Sequence, residues 1–249
     1  MYRWRSWVWF SLGSLFSAIL VISSVYGFTN FTNHQPSPRV VNSPPPVTIS
    51  SPEITPQTRP MSTPNVLNSE TKYGHFPYAQ VNQSQLIVMS SYGQKEYQRN
   101  VEMERSAGLA LFQLMNAARD RGLWLIPISG FRTVAYQANL FNRQVQRQGS
   151  EIAAARISAP PGYSEHHTGL AIDLGDGFAA GEGIPDITER FGQTRAYEWL
   201  QKNAITYGFE LSYPPNNAQG VMYEPWHWRY VGSEYARQVF AQAHNTPKG

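Results

Sequence analysis

The sequence predicts an α+β domain set behind an export segment and a spacer. Three observations carry this. Helix-period apolar patterns and short strand-like runs alternate without a regular βαβ rhythm. A run of 23 uncharged, largely apolar residues follows the first five. A proline-rich tract separates that run from everything that could form a core.

Met1 to Arg5 holds two arginines, and Ser6 to Phe28 follows without a charge. A helix of about 20 apolar residues crosses a bilayer core. A cleaved signal has a shorter apolar stretch and a small-x-small site, and Ser24-Val25-Tyr26-Gly27 is a poor one. Residues 1–28 therefore read as a signal anchor, with secretion after signal cleavage as the alternative. The arginines put the N-terminus in the cytoplasm, and Trp4, Trp7 and Trp9 suit an interfacial belt on that side. Either way the rest of the chain lies outside the cytoplasm. Residues 29–70 hold nine of the 18 prolines, mixed with Ser, Thr, Asn and Gln. Such a segment cannot bury a core and reads as a disordered linker.

The folded domain is expected over 71–249, opening with Gly74-His75-Phe76-Pro77-Tyr78. Met103, Ala107, Leu111, Leu114 and Ala118 recur at three- or four-residue spacing and predict a helix from Asn100 to Gly122. Leu123 to Ile128 predicts a buried strand, with Pro127 placing it at an edge or bulge. Thr133 to Gly149 predicts a helix with Tyr136, Leu140, Phe141 and Val145 on one stripe. Ala171 to Leu174 is strand-like, and Gly175 to Gly183 reads as a loop. Arg195 to Tyr207 reads as a helix, Phe209–Leu211 and His227–Val231 as strands, and Ser233 to about His244 as a last helix.

Composition narrows the function. The net charge of +3 is mostly contributed by the first 70 residues, so no basic stripe for nucleic acid remains. There is no cysteine, which excludes disulfides and thiolate sites. A metal would need His, Asp or Glu.

Three segments place polar groups where a bland fold would not want them: Ser129-Gly130-Phe131-Arg132 with Gln137, the run from Ser164 to Asp173, and Glu224-Pro225-Trp226-His227-Trp228-Arg229. His166 and Asp173 are separated by a glycine and an apolar strand, so a loop histidine and a strand aspartate can converge. His227 could supply a third ligand, and two imidazoles with a carboxylate suit zinc. Glu224 lies three residues before His227, placed for a general base. Arg132 offers a fixed positive group for an oxyanion or a carboxylate. Taken singly, each has a duller role as a surface histidine, a cap or an ion-pair partner, and His-x6-Asp is not a specific pattern. His167 would point elsewhere, and His34, His75 and His244 have no carboxylate at a telling spacing.

Taken together and in order, the three motifs resemble the VanY-type D-alanyl-D-alanine carboxypeptidases, whose relatives include D-Ala-D-Ala dipeptidases and some phage endolysins. The resemblance spans about Tyr73 to Phe240. It implies zinc held by His166, Asp173 and His227, with Glu224 as catalytic base and Arg132 stabilising the scissile carbonyl. It implies that Ser129, Gln137 and Ser164 shape the substrate pocket. It also implies a small antiparallel sheet flanked by helices, as in the zinc domain of hedgehog proteins. The expected activity is release of a terminal D-alanine from peptidoglycan stem peptides by a membrane-tethered monomer. An endopeptidase, an LD-carboxypeptidase or a non-catalytic wall-binding domain are the alternatives. Two departures stand beside the pocket: Leu211-Ser212-Tyr213-Pro214 where Leu-Arg-Tyr-Pro is expected, and Ala218-Gln219-Gly220-Val221 where Ile-Thr-Gly-Tyr is expected. They bear on the choice of peptide.

Overall fold

The computed structural model describes residues 70–95, 98–181 and 187–245. The expected anchor (1–28) and, but for Glu70, the expected linker (29–70) lie outside the described residues. Among the described residues no helix is long and apolar enough to cross a membrane.

The domain is α+β, with two antiparallel sheets. A hairpin of β1 (Leu86–Tyr92) and β2 (Arg99–Glu104) leads into α1 (Arg105–Asp120). The central sheet has the order β3-β4-β6-β5, from β3 (Leu125–Ser129), β4 (Ala171–Asp176), β6 (His227–Tyr230) and β5 (Phe209–Leu211). Every pairing in it is antiparallel. Between β3 and β4 run α2 (Val134–Gln148) and the short α3 (Glu151–Ala155). Between β4 and β5 come α4 (Gly177–Gly181) and α5 (Arg195–Asn203), and α6 (Glu234–Val239) and α7 (Ala241–Asn245) close the chain.

The expected helix from Asn100 begins later. Residues 99–104 form β2, in which Val101 and Met103 are buried in alternation. Glu104 then caps α1 by accepting from the amides of Ser106 and Ala107. The five apolar residues predicted to face inward are nevertheless all fully buried. β1 was not foreseen, and part of the expected loop after Gly175 is the single turn of α4. The last helix breaks at Phe240 into α6 and α7, and α5 ends in a 3-10 turn over Ala204–Tyr207.

Other expectations hold. Thr133 caps α2 through its hydroxyl, and Gly149 ends it at φ +79°, a left-handed geometry that glycine adopts without strain. Pro127 sits both on the edge strand β3 and beside a break in register. Along β4 alternation sends Ile172 and Leu174 into the core and Asp173 to the opposite face. The core joins α1, α5 and α6 to one face of the sheet through Leu111, Leu114, Leu200, Phe209 and Ala236, with Phe240 just beyond α6. The other face is left for polar residues.

Candidate metal centre and cleft

Strand pairing builds the site. Asp173 lies opposite Ser129 on one side and His227 on the other, so three adjacent strands present one row of side chains. His166 comes from the 3-10 turn Glu165–Thr168 just before β4. That turn is laced to the loop after β3. The Arg132 amide donates to the His166 carbonyl at 3.2 Å. His166 Nδ1 meets the Gly130 carbonyl at 2.7 Å, and His167 Nδ1 meets the Arg132 carbonyl at 2.8 Å. Gly130 lets this loop lie against β2, since a Cβ there would stand 2.1 Å from the Glu102 carbonyl oxygen.

Ligand atoms of His166, Asp173 and His227 all lie within 4.8 Å of one another, and the three residues are buried. Carbonyls and carboxylates only accept, so the Gly130 contact fixes the proton of His166 on Nδ1 and leaves Nε2 bare. By the same argument Glu165 Oε2, 2.9 Å away, holds a proton on Nε2 of His227, so that Nδ1 is the bare nitrogen once the imidazole is neutral. Nε2 of His166 is 3.4 Å and Nδ1 of His227 is 3.1 Å from Asp173 Oδ1. With neutral imidazoles, three acceptors face one another, an arrangement that only a proton or a cation stabilises. Burial opposes charge on His227, yet hydrogen bonds to Asp173 and Glu165 lift its pKa to about 10. Burial and the neighbouring Arg132 push His166 down to about 4, which keeps it neutral. Burial opposes charge on Asp173 too, but His166 and Arg132 hold its carboxyl well below the usual range. Without an ion His227 thus carries a proton between the two carboxylates; with that proton displaced, two imidazoles and an ionised carboxylate fit a divalent ion of the zinc type.

Glu224 is placed by a turn in which the His227 amide donates to the Glu224 carbonyl at 3.1 Å. Its Oε2 lies 3.7 Å from His227 Nδ1, and its side chain is 13% exposed. Burial pushes its carboxyl up to about 8, against the opposing pull of His227. Arg132 is pinned at the wall, with Nε donating to Ser129 Oγ at 2.9 Å and Nη2 to Asp173 Oδ2 at 2.5 Å. Ser129, Arg132, Gln137, Ser164, His166, Asp173, Glu224 and His227, the whole set expected from the sequence, line one cavity of about 470 Å³. Gln137 is buried and spends its amide nitrogen on Ser158 Oγ and the Ala159 carbonyl, leaving Oε1 without a donor.

Sequence reasoning missed Glu165. It is fully buried and accepts from His227 Nε2, from Arg229 Nη1 at 2.8 Å and from Ser212 Oγ at 2.6 Å. Burial alone would protonate it. The Arg229 guanidinium and hydrogen bonds from His227 and Ser212 prevail and hold it far below the usual carboxylate range. The signal was an acid beside a ligand histidine, with an arginine two residues beyond the other. Ser212, expected beside the pocket, is buried and donates to Glu165 behind His227. Val221 does line the cavity. His167 is buried and accepts from the Gly162 amide through Nε2. His244 does have a carboxylate partner, Glu210 at 2.6 Å, which sequence spacing did not reveal.

The sequence profile of the D-alanyl-D-alanine carboxypeptidase family VanY matches residues 100–233, more than half of the chain. The chain belongs to the VanY family. Among its relatives is YodJ of Bacillus subtilis, 36% identical over 157 residues, which covers 61% of this chain and 54% of that one. A D-alanyl-D-alanine carboxypeptidase of Enterococcus faecalis is 35% identical over 142 residues, covering 53% of this chain and 49% of that one. This VanY-family chain thus spans about half the length of the curated relatives it matches. Among solved structures, the LdcB LD-carboxypeptidase is 34% identical with a TM-score of 0.54, covering 68% of this chain and 80% of that one.

Proposed function

We propose that this chain is a zinc peptidase that trims peptidoglycan stem peptides outside the cytoplasm, releasing a C-terminal D-alanine. The observation that carries it is the convergence of two imidazoles and one carboxylate, with Glu224 beside them, at the floor of an open cleft. His166, Asp173 and His227 would hold the ion. Bound there, zinc supplies a Lewis acid and lowers the pKa of water.

The protein's own groups do the rest. Glu224, beside the ligand set, takes a proton from the attacking water and returns it to the departing amine. Arg132 cannot swing away while Ser129 and Asp173 hold it, so its charge is fixed where the carbonyl oxygen becomes negative. Glu165 keeps His227 in the tautomer that leaves Nδ1 free. Ser164, Gln137 and Ser129 shape the wall on which the peptide lies. Residues 1–28 tether the domain as a membrane anchor, 29–70 space it from the bilayer, and it works as a monomer.

A second reading, an LD-cut that trims tetrapeptide stems, is favoured by the likeness to the LdcB LD-carboxypeptidase. Purified protein incubated with defined pentapeptide and tetrapeptide muropeptides, followed by mass spectrometry, decides between them. The expected result is loss of one alanine from the pentapeptide, abolished by excess EDTA and restored by zinc. Full activity in EDTA with no metal detected would overturn the zinc reading.

A further inference from the structure

The cavity runs on past the metal set along one face of α2, where Leu140, Arg143, Gln144 and Arg147 succeed one another at helical spacing. Arg99 of β2 lines it as well. Its guanidinium sits 5.3 Å from the Tyr92 ring centre, and its Nη2 donates to the Ile128 carbonyl at 3.2 Å. Arg143 and Arg147 are exposed, and among the described residues neither has an acidic partner. The acids lining the cavity are Glu165, Asp173 and Glu224, all in or behind the metal set. Glu165 is neutralised by Arg229 and Asp173 by Arg132. The α2 arm of the cleft therefore carries cations without a described anion, and cleft walls concentrate such a field.

A second observation points the same way. Gln144 Oε1, on the same helix face, is enclosed and has no donor. Enclosed polar atoms normally have partners. A ligand that satisfies both features brings a carboxylate to the guanidiniums and, once the Gln144 side chain turns outward, an N–H to its Oε1. A peptide bearing a free carboxylate does both, and arginine binds carboxylates in a fixed two-point geometry that amides do not match.

We propose that the α2 arm reads a free carboxylate on the substrate peptide, remote from the cleaved bond, so that acidic stem peptides are preferred over their carboxamide forms. This rests on the hydrolytic reading above. The test uses two peptides ending in D-Ala-D-Ala that differ only in carrying a side-chain carboxylate or the corresponding carboxamide. Cleavage by the zinc-loaded full chain is compared with calorimetric binding to its Glu224→Gln variant. The acid form should be favoured about tenfold or more in both, and salt should erode the preference. The double variant Arg143→Gln, Arg147→Gln, both exposed helix positions that glutamine suits, should bring the acid-to-amide ratio close to one, chiefly through KM. An equal preference in the wild-type chain, or a ratio the double variant leaves untouched, overturns the proposal. If neither peptide is cleaved yet the acid form binds tenfold tighter, the hydrolytic reading fails and this one stands. Equal cleavage of both does the reverse.

Discussion

Replacing Glu165 by glutamine keeps the shape of the side chain and removes its charge. The consequences can be worked out bond by bond. Arg229 Nη1, 2.8 Å away, loses one of its two carboxylate partners but keeps Glu210 at 2.6 Å, so the cost is that of a buried charged hydrogen bond, about 1.5–3 kcal/mol. The new amide cannot accept from every donor that faces it, and Ser212, Arg229 and His227 all donate there. Where the amide nitrogen faces His227 Nε2, that nitrogen must become an acceptor and the imidazole proton moves to Nδ1, the atom turned toward Asp173. Partners that orient a ligand histidine are worth about 10–100-fold in metal affinity. Urea unfolding in EDTA should therefore show the stability loss at neutral pH, and competition with a chromophoric chelator should show zinc affinity lowered by that factor. The pH dependence has a definite sign. The folded carboxyl titrates below its unfolded value of about 4.3, so its contribution is complete above that pH and is lost as pH falls through the folded value. The share of the gap owed to the Glu165 carboxyl itself should stay constant from pH 7 to about pH 5 and close only in stronger acid. An unchanged urea midpoint together with unchanged zinc affinity would show that Glu165 merely fills space.

Glu224→Gln should retain zinc and thermal stability while losing about 10²–10⁴-fold in turnover, whereas His166→Ala and His227→Ala should lose metal and turnover together; metal analysis beside muropeptide digestion separates the cases. Gly130→Ala would drive a Cβ to 2.1 Å from the Glu102 carbonyl oxygen, so it should cost at least about 1–3 kcal/mol and weaken zinc by displacing the carbonyl that aims His166; a thermal melt and a zinc titration check both parts. A chain beginning at Thr71 should fold and retain its activity, because Lys72 and His75 already pair through their backbones and His75 Nε2 bonds the Ala155 carbonyl at 2.7 Å; circular dichroism and muropeptide turnover would reveal a misplaced boundary.

The metal set was legible because its residues are few in type and its spacing straddles an obvious apolar strand. The strand register that aligns Ser129, Asp173 and His227 could not be read, since a row across three strands has no signature along the chain. Glu165 escaped for a related reason: its partners Ser212, His227 and Arg229 are 47 to 64 positions away. The misplaced start of α1 has a local cause. Val101 and Met103 alternate as a strand requires, but Met103 also stands four residues before Ala107 and so extends the helical pattern. The cap is a glutamate, outside the usual set of capping residues, so no stop signal marked the boundary.

The rims of the central sheet bear on how a peptide can approach. β3 is five residues long, carries Pro127 with no amide to offer, and is broken in register beside it. Just beyond it the Phe131 amide is already taken by the Glu102 carbonyl. On the opposite rim β5 has only three residues. Neither rim presents a continuous row of free backbone groups, so an extended peptide gains little by joining this sheet as another strand. Backbone pairing of that kind grips any sequence alike. A fold that withholds it leaves recognition to side chains in the cleft, and selectivity between similar peptides can then be retuned one residue at a time without disturbing the scaffold.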